Sequence, residues 1–180
     1  PGGKTLEEAL RARQSIRSYA DKDIPAEVLS GLLWSACGVN RKESGKRTAP
    51  TAVNKQEIDV WVVKKDGFFL YEHKDHILSR KGSEDIRALT GTQSYVAEAP
   101  LDLIYVADMA KAAGKTDQER ANLAWADTGY VSQNVYLYCA VMGLGTVVRA
   151  SIDVPALSKA MGLGEKQHVI MAQCVGYPKA

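Results

Sequence analysis

The chain has 180 residues, 46% of them hydrophobic and 24% charged, a composition that excludes disorder and fits one globular domain over 1–180. Its 23 basic and 21 acidic residues leave a formal charge of +2, too little to make nucleic acid or an anionic membrane the main partner. Three scattered cysteines, Cys37, Cys139 and Cys174, form neither a disulfide framework nor a zinc pattern and read as small buried hydrophobes.

Thr5 is placed to cap a short helix from Leu6 to Ala12, with Glu7 and Glu8 in its first turn. A second helix is expected from about Pro25 to Cys37, stopped by Gly38. The basic, small-residue stretch Asn40 to Lys55 reads as a loop. Glu57 to Lys64 and Phe68 to Tyr71 form a hairpin about Asp66-Gly67. Ser83 is expected to cap a helix through Leu89, and Leu101 to Ala107 reads as a strand. A long helix is expected from Gln118 to Met142, about 37 Å at 1.5 Å per residue. Thr146 to Val148 is β-branched, and a helix capped by Asp153 runs to Gly162. His168 to Val175 is a last strand before Gly176-Tyr177-Pro178. Helices and strands without strict βαβ alternation point to an α+β fold, a mixed central sheet flanked by helices.

Every residue from Val135 to Met142 is apolar. A helix with no polar stripe must be covered all round, and the chain is short for that task. The expectation is a homodimer with this helix in the interface; a helix buried within one protomer is the alternative. The longest uncharged stretch, Thr128 to Val148, is broken by Ser132, Gln133, Asn134 and three glycines, so no membrane span is expected. The sequence opens at Pro1 without Met. A cytoplasmic location is favoured, and an exported form stays open because the native N-terminus is missing.

Few residues suit direct chemistry. There is no hydrolase elbow, zinc-protease helix or phosphate-binding Walker loop, and no catalytic side chain or metal site is assigned. His73 and His76 read as a solvated loop and His168 as structural. Arg13, Ser15 and Arg17 alternate in a segment where helical periodicity fades. Two guanidiniums and a hydroxyl on one side suit a phosphate; a solvated helix end is the bland alternative. Asn54 and Gln56 are neutral amides able to bond a heterocycle edge. The glycines at 143 and 145 are first of all a helix cap, and they also allow close backbone approach to a ligand.

The order of these motifs resembles the FMN-dependent nitroreductase family, in particular its short, mostly uncharacterised branch. Arg13-Gln14-Ser15-Ile16-Arg17 resembles the family's R-x-S-x-R/K signature, and Pro50-Thr51-Ala52-Val53-Asn54-Lys55-Gln56 resembles its P-S-x-x-N-x-Q loop. The long helix ending in Gly-Leu-Gly-Thr, then a short strand and Gly176-Tyr177-Pro178, follows the family order over Ala9 to Lys179. The resemblance implies a homodimer with FMN at the interface. Arg13, Ser15, Arg17 and Lys179 would hold the phosphate and flavin edge. Pro50, Thr51 and Asn54, with Gln56 in the same loop, would reach the partner's FMN. Gln93 stands where a flavin-pyrimidine amide is expected. Gly145, Val148, Arg149, Ala150 and Ser151 would lie against the ring, near its reactive nitrogen N5. Two departures stand out: the aromatic and proline usual after the N-x-Q motif are replaced by Glu57 and Ile58, and Ala150-Ser151 replaces an acidic-glycine pair. Arg149 is expected to face the cleft, drawing anionic substrates or nicotinamide phosphates.

The implied activity is that of a flavoprotein oxidoreductase. NAD(P)H would reduce FMN, and a small-molecule electron acceptor such as a nitroaromatic or quinone would reoxidise it. Two rivals are a non-catalytic FMN-binding or flavin-storage dimer and a structural dimer with a vestigial clamp.

Overall fold

The computed structural model describes residues 3–179. Its centre is a six-stranded sheet in the order β5-β4-β3-β6-β8-β7. These strands are β3 (Ile58–Lys64), β4 (Gly67–Glu72), β5 (Ile77–Gly82), β6 (Leu101–Asp108), β7 (Gly145–Arg149) and β8 (Gln167–Gly176). The architecture is α+β, as expected. Within the sheet, expected to be mixed, every neighbouring pair is antiparallel. Hairpins join β3 to β4 and β4 to β5, and β6, β8 and β7 continue the alternation on the other side of β3.

Both faces of the sheet are covered, which explains why β3 and β6 are nearly unbroken apolar runs. Val60, Val62, Leu103 and Tyr105 face the cluster formed with α2 (Ala26–Cys37) and α3 (Asp117–Met142). The alternate residues Trp61, Val63, Ile104 and Val106 face Leu157 and Met161 of α4 (Val154–Met161). The period of two along each strand therefore sorts one sequence into two cores.

The caps follow their residue chemistry. Thr5 and Glu8 form a reciprocal capping box on α1 (Leu6–Ala12), and Thr116 and Glu119 repeat it on α3. Gly143 ends α3 with φ of +70°, the left-handed cap that glycine adopts without a Cβ penalty.

Three expectations change. Ser83 caps no helix; only Arg87–Leu89 forms a 3-10 turn. The Asp85 carboxylate accepts from both the backbone N–H and the guanidinium of Arg87, a local alternative to helix propagation. The preceding residues supply the edge strand β5, whose Arg80 and Lys81 are of the kind that protect an open sheet edge. The basic loop after α2 also contains a small hairpin, β1 (Val39–Arg41) with β2 (Lys46–Arg47). Finally, Val135 to Met142 is covered in part within the protomer. Val135, Tyr136 and Cys139 are buried by α1, α2 and the sheet, while Leu137, Ala140 and Val141 are half-buried. Among the described residues, no helix is long and apolar enough to cross a membrane.

Candidate functional site

β7 is the sheet's edge strand, so its outward backbone groups require partners from elsewhere. The segment 13–17 supplies them. The Ile16 N–H donates to the Thr146 carbonyl at 2.9 Å. Close contact is possible because residue 145 is glycine: a Cβ there would stand 2.8 Å from Ile16 Cγ2. Past Ile16 the chain stays beside the C-terminal segment. Tyr19 bridges Pro178, and Lys179 N–H donates to the Ser18 carbonyl at 3.2 Å. The buried Tyr19 hydroxyl turns back to donate to the Ile16 carbonyl at 2.6 Å. One irregular ribbon thus runs Arg13, Ser15 and Arg17 alongside β7, with Gly145 and Val148, and beside the C-terminal segment that carries Lys179. Ser15, Arg17 and Lys179 are exposed, and Arg13 is half-buried.

Tyr136 organises this ribbon and escaped the sequence reading. Its hydroxyl lies 2.9 Å from Ser15 Oγ and accepts the outward Val148 N–H at 3.1 Å. The Arg13 guanidinium sits 5.3 Å above its ring, within cation–π range. The available signal was a phenol inside an apolar helical run, since a buried Tyr hydroxyl needs a partner.

Arg149 overturns the expectation that its side chain faces the cleft. It turns inward and donates to Asp102 Oδ1 at 2.8 Å and to Thr90 Oγ1 at 2.7 Å. Its side chain is 3% exposed and that of Asp102 is fully buried. Strand alternation is the cause: Val148 faces the half-covered side and Arg149 the interior. Thr92 N–H donates to the Ser151 carbonyl at 3.0 Å, which places Gln93 near 149–151. A Cβ on Gly91 would meet both Arg149 Nε and Gln93 Oε1. That Gln93 oxygen is buried and has no hydrogen-bond partner. Ala150 and Ser151 are exposed beside it.

The loop from Pro50 to Gln56 forms a second group. Three of its residues adopt positive φ without being glycine: Val53 at +43°, Asn54 at +57° and Gln56 at +52°. Val53 is β-branched and 81% exposed, an unfavourable combination that the rest of the loop has to impose. Gln56 N–H donates to Thr51 Oγ1 at 2.9 Å, and its amide donates to Asn54 Oδ1 and to the Gly45 carbonyl, both at 3.1 Å. Ala52 N–H donates to Asp127 Oδ2 of α3 at 2.8 Å. The Gln56 amide N–H groups and the Thr51 hydroxyl are thus engaged in holding the loop. Pro50 and Asn54 remain exposed. Asp127 and Tyr136 lie nine residues apart on one helix, about 13 Å along its axis. In one chain the loop and the ribbon stand at separate places along α3.

Away from these groups, burial and the neighbouring Arg47 cation push the His73 imidazole down to about 4, so it is neutral rather than a freely solvated base. His76 joins Ser30 and Tyr71. His168 lies at the exposed start of β8. The three cysteines are buried and free, as expected of small hydrophobes.

Known proteins of the same fold identify its family. The model of the nitroreductase family matches residues 10–177. A nitroreductase-family protein of Methanocaldococcus jannaschii is 29% identical over 152 residues, covering 79% of this chain and 76% of that protein. A nitroreductase crystal structure from Ralstonia eutropha superposes with a TM-score of 0.94 at 37% identity, covering 99% of this chain and 85% of the other. A Desulfovibrio desulfuricans structure in complex with FMN shares the fold at a TM-score of 0.72 and 20% identity, covering 98% and 88%. Match length, motif order and the superposed fold converge on one assignment: the chain belongs to the nitroreductase family of flavin-dependent oxidoreductases.

Proposed function

We propose that the protein is an FMN-dependent NAD(P)H oxidoreductase, working as a homodimer whose two sites are each built from both chains. The observation that carries this reading is the ribbon along β7. It carries Arg13, Ser15 and Arg17 along the sheet edge with Lys179 on the adjoining C-terminal segment, and three cations with a hydroxyl are a donor set for a phosphate monoester. Gln93 offers a second point of fit. A buried amide oxygen without a partner is costly in isolation, and a flavin's N–H edge is a donor of suitable kind. The exposed clamp is only one side of a site, and the strained loop at 50–56 presents Pro50, Thr51 and Asn54 from a separate place. A partner subunit would bring that loop across to complete it.

FMN, when bound, supplies the redox chemistry, taking hydride from reduced nicotinamide and giving electrons to a small acceptor such as a nitroaromatic or quinone. The chain's part is binding and orientation. Arg13, Ser15, Arg17 and Lys179 would hold the phosphate, Gln93 and Asn54 would bond the polar edge of the ring, and the Val148–Ser151 backbone would pack against it. No side chain is needed as acid or base. The non-catalytic alternative, flavin storage, uses the same contacts and differs only in turnover.

The deciding experiment is anaerobic addition of NADH or NADPH to the purified yellow protein. Bleaching, followed by recovery of colour with an acceptor, supports the oxidoreductase. A yellow protein that neither nucleotide bleaches is a flavin carrier. Arg17→Ala tests the clamp itself. Loss of a charge-assisted pair of about 2–3 kcal/mol should weaken FMN binding by about 30- to 150-fold in equilibrium titration. Unchanged affinity removes Arg17 from the site.

A further inference from the structure

We propose that Arg149 is a positioning residue of the flavin site: held by Asp102, its guanidinium pins the turn Thr90–Gln93 against the end of β7 and so sets the place of Gln93. The role in the flavin site rests on the reading that Gln93 bonds the flavin edge; the grip of Arg149 on the turn does not. The anchor lies in the sheet. Asp102 of β6 stands opposite Cys174 of β8, and Cys174 stands opposite Val147 of β7. Arg149, two residues past Val147, reaches inward to the Asp102 carboxylate at 2.8 Å. Both side chains are buried, so the guanidinium is a fixed point to which the turn packs.

The turn has little else to hold it. Between β5 and β6 the regular pieces among the described residues are the short 3-10 turns Arg87–Leu89 and Ser94–Val96, so the path depends on individual bonds. Two of these tie it to the end of β7, one on each side of Gly91. Arg149 Nη2, the same nitrogen that bonds Asp102, donates to Thr90 Oγ1 at 2.7 Å. Thr92 N–H donates to the Ser151 carbonyl at 3.0 Å. Thr90 is fully buried, and its hydroxyl donates onward to the Arg87 carbonyl at 2.8 Å, which leaves its lone pairs for Arg149.

Gly91 brings the guanidinium beside Gln93. The point that a Cβ on residue 91 would occupy lies 2.5 Å from Arg149 Nε and 3.1 Å from Gln93 Oε1. The two atoms therefore flank one carbon-sized point. One is a buried donor and the other a buried acceptor, and neither has a hydrogen-bond partner among the described residues. A cation at this place favours the oxygen end of the Gln93 amide over its NH2 end. An amide oxygen carries two lone pairs, so the field of Arg149 can hold one while the other meets the flavin N–H. Arg149 thus orients a group that touches the cofactor without touching it itself.

The test is a double-mutant cycle on the full chain, read as FMN affinity in equilibrium titration and as the midpoint potential of the bound flavin. Thr90→Val removes the bond between Arg149 and the turn and leaves the Arg149–Asp102 pair in place. It should weaken FMN binding by about five- to tenfold and shift the potential in the direction in which Gln93→Ala shifts it. In the Gln93→Ala background the same change should move neither quantity further, because its effect passes through Gln93. Thr90→Ser keeps the hydroxyl and should keep the parent's values. Gly91→Ala leaves every polar group in place but crowds Arg149 Nε and Gln93 Oε1. It should repeat the pattern of Thr90→Val, a check that stands if the buried valine impairs folding. Additive losses in the cycle overturn the positioning role. So does a folded Thr90→Val protein with the parent's affinity and potential while Gln93→Ala differs. A Gln93→Ala protein with the parent's affinity and potential overturns the reading of Gln93 itself, and the positioning role with it.

Discussion

Two single residues show how burial decides what a charge does. Arg149 and Asp102 form an ion pair at 2.8 Å in which both side chains are almost wholly buried. Such a pair costs desolvation on both sides, and its removal is harmful chiefly when one charge is left behind. Arg149→Met should therefore destabilise the fold by about 3–5 kcal/mol in urea denaturation, and adding Asp102→Leu should recover much of that loss. A double variant no better than the single one would mean that the guanidinium's bond to Thr90 matters more than the pair. His73 carries a pH prediction. Its folded imidazole is held at about 4, below the ordinary 6.5, by burial and then by Arg47. The fold disfavours the protonated ring, so this contribution is full above pH 6.5 and is lost as pH falls toward 4. His73→Gln should flatten the acid limb of the stability curve, with little change above neutrality, in thermal melts across that range. An acid limb identical to the parent's would assign the loss to the carboxylates instead.

At the level of elements, β7 and the ribbon beside it are the part of the site most open to test. Tyr136 joins the two by holding Ser15 and the Val148 N–H at once. Tyr136→Phe keeps the ring under Arg13 and removes only the hydroxyl. The Val148 donor then loses its partner and the Ser15 rotamer is freed, a loss of about 1–2 kcal/mol. FMN affinity should drop by about five- to thirtyfold with helix content unchanged, as measured by flavin titration and circular dichroism. Full affinity would show that Ser15 is placed by the backbone alone. Much of this architecture is legible in the sequence, because α1, α2, α3 and α4 carry caps and periodicity, and β3, β6 and β8 are apolar runs. β5 is not legible: its mixed polar pattern reflects an edge strand with little to bury. The candidate site is legible in its motifs, Arg13-Ser15-Arg17 and Pro50 to Gln56. Its supports, Tyr136, Asp127 and Asp102, come from distant positions, and no local spacing marks them. Arg149 misled for the same reason, since its partner lies 47 residues away.

For the whole molecule, the question is whether dimer and cofactor depend on each other. The apolar run at Val135 is the wrong place to probe it. Val135 is fully buried within its own protomer, so a charge there would unfold the chain rather than separate subunits. The exposed apolar residues lie elsewhere. Trp125 and Tyr130 on α3 are 46% and 51% exposed, and Leu6, Leu10 and Trp34 on the neighbouring helices are also uncovered. Gly129, between them, would meet nothing with an added Cβ, leaving room for another backbone to approach closely. Large exposed apolar residues are characteristic of an interaction surface, and Trp125 and Tyr130 stand on either side of Asp127 along α3. If the loop completes the partner's flavin site, bound FMN must favour the dimer, and dimerisation must raise FMN affinity by the same factor. Tyr130→Glu places a charge on that surface without disturbing the protomer core. The variant should be folded, monomeric and colourless on gel filtration, and saturating FMN should restore part of the dimer in sedimentation experiments. The FMN affinity lost on going to monomer should equal the dimer affinity gained with FMN. A folded Tyr130→Glu monomer that binds FMN as tightly as the parent would refute the shared site and remove Pro50, Thr51 and Asn54 from it.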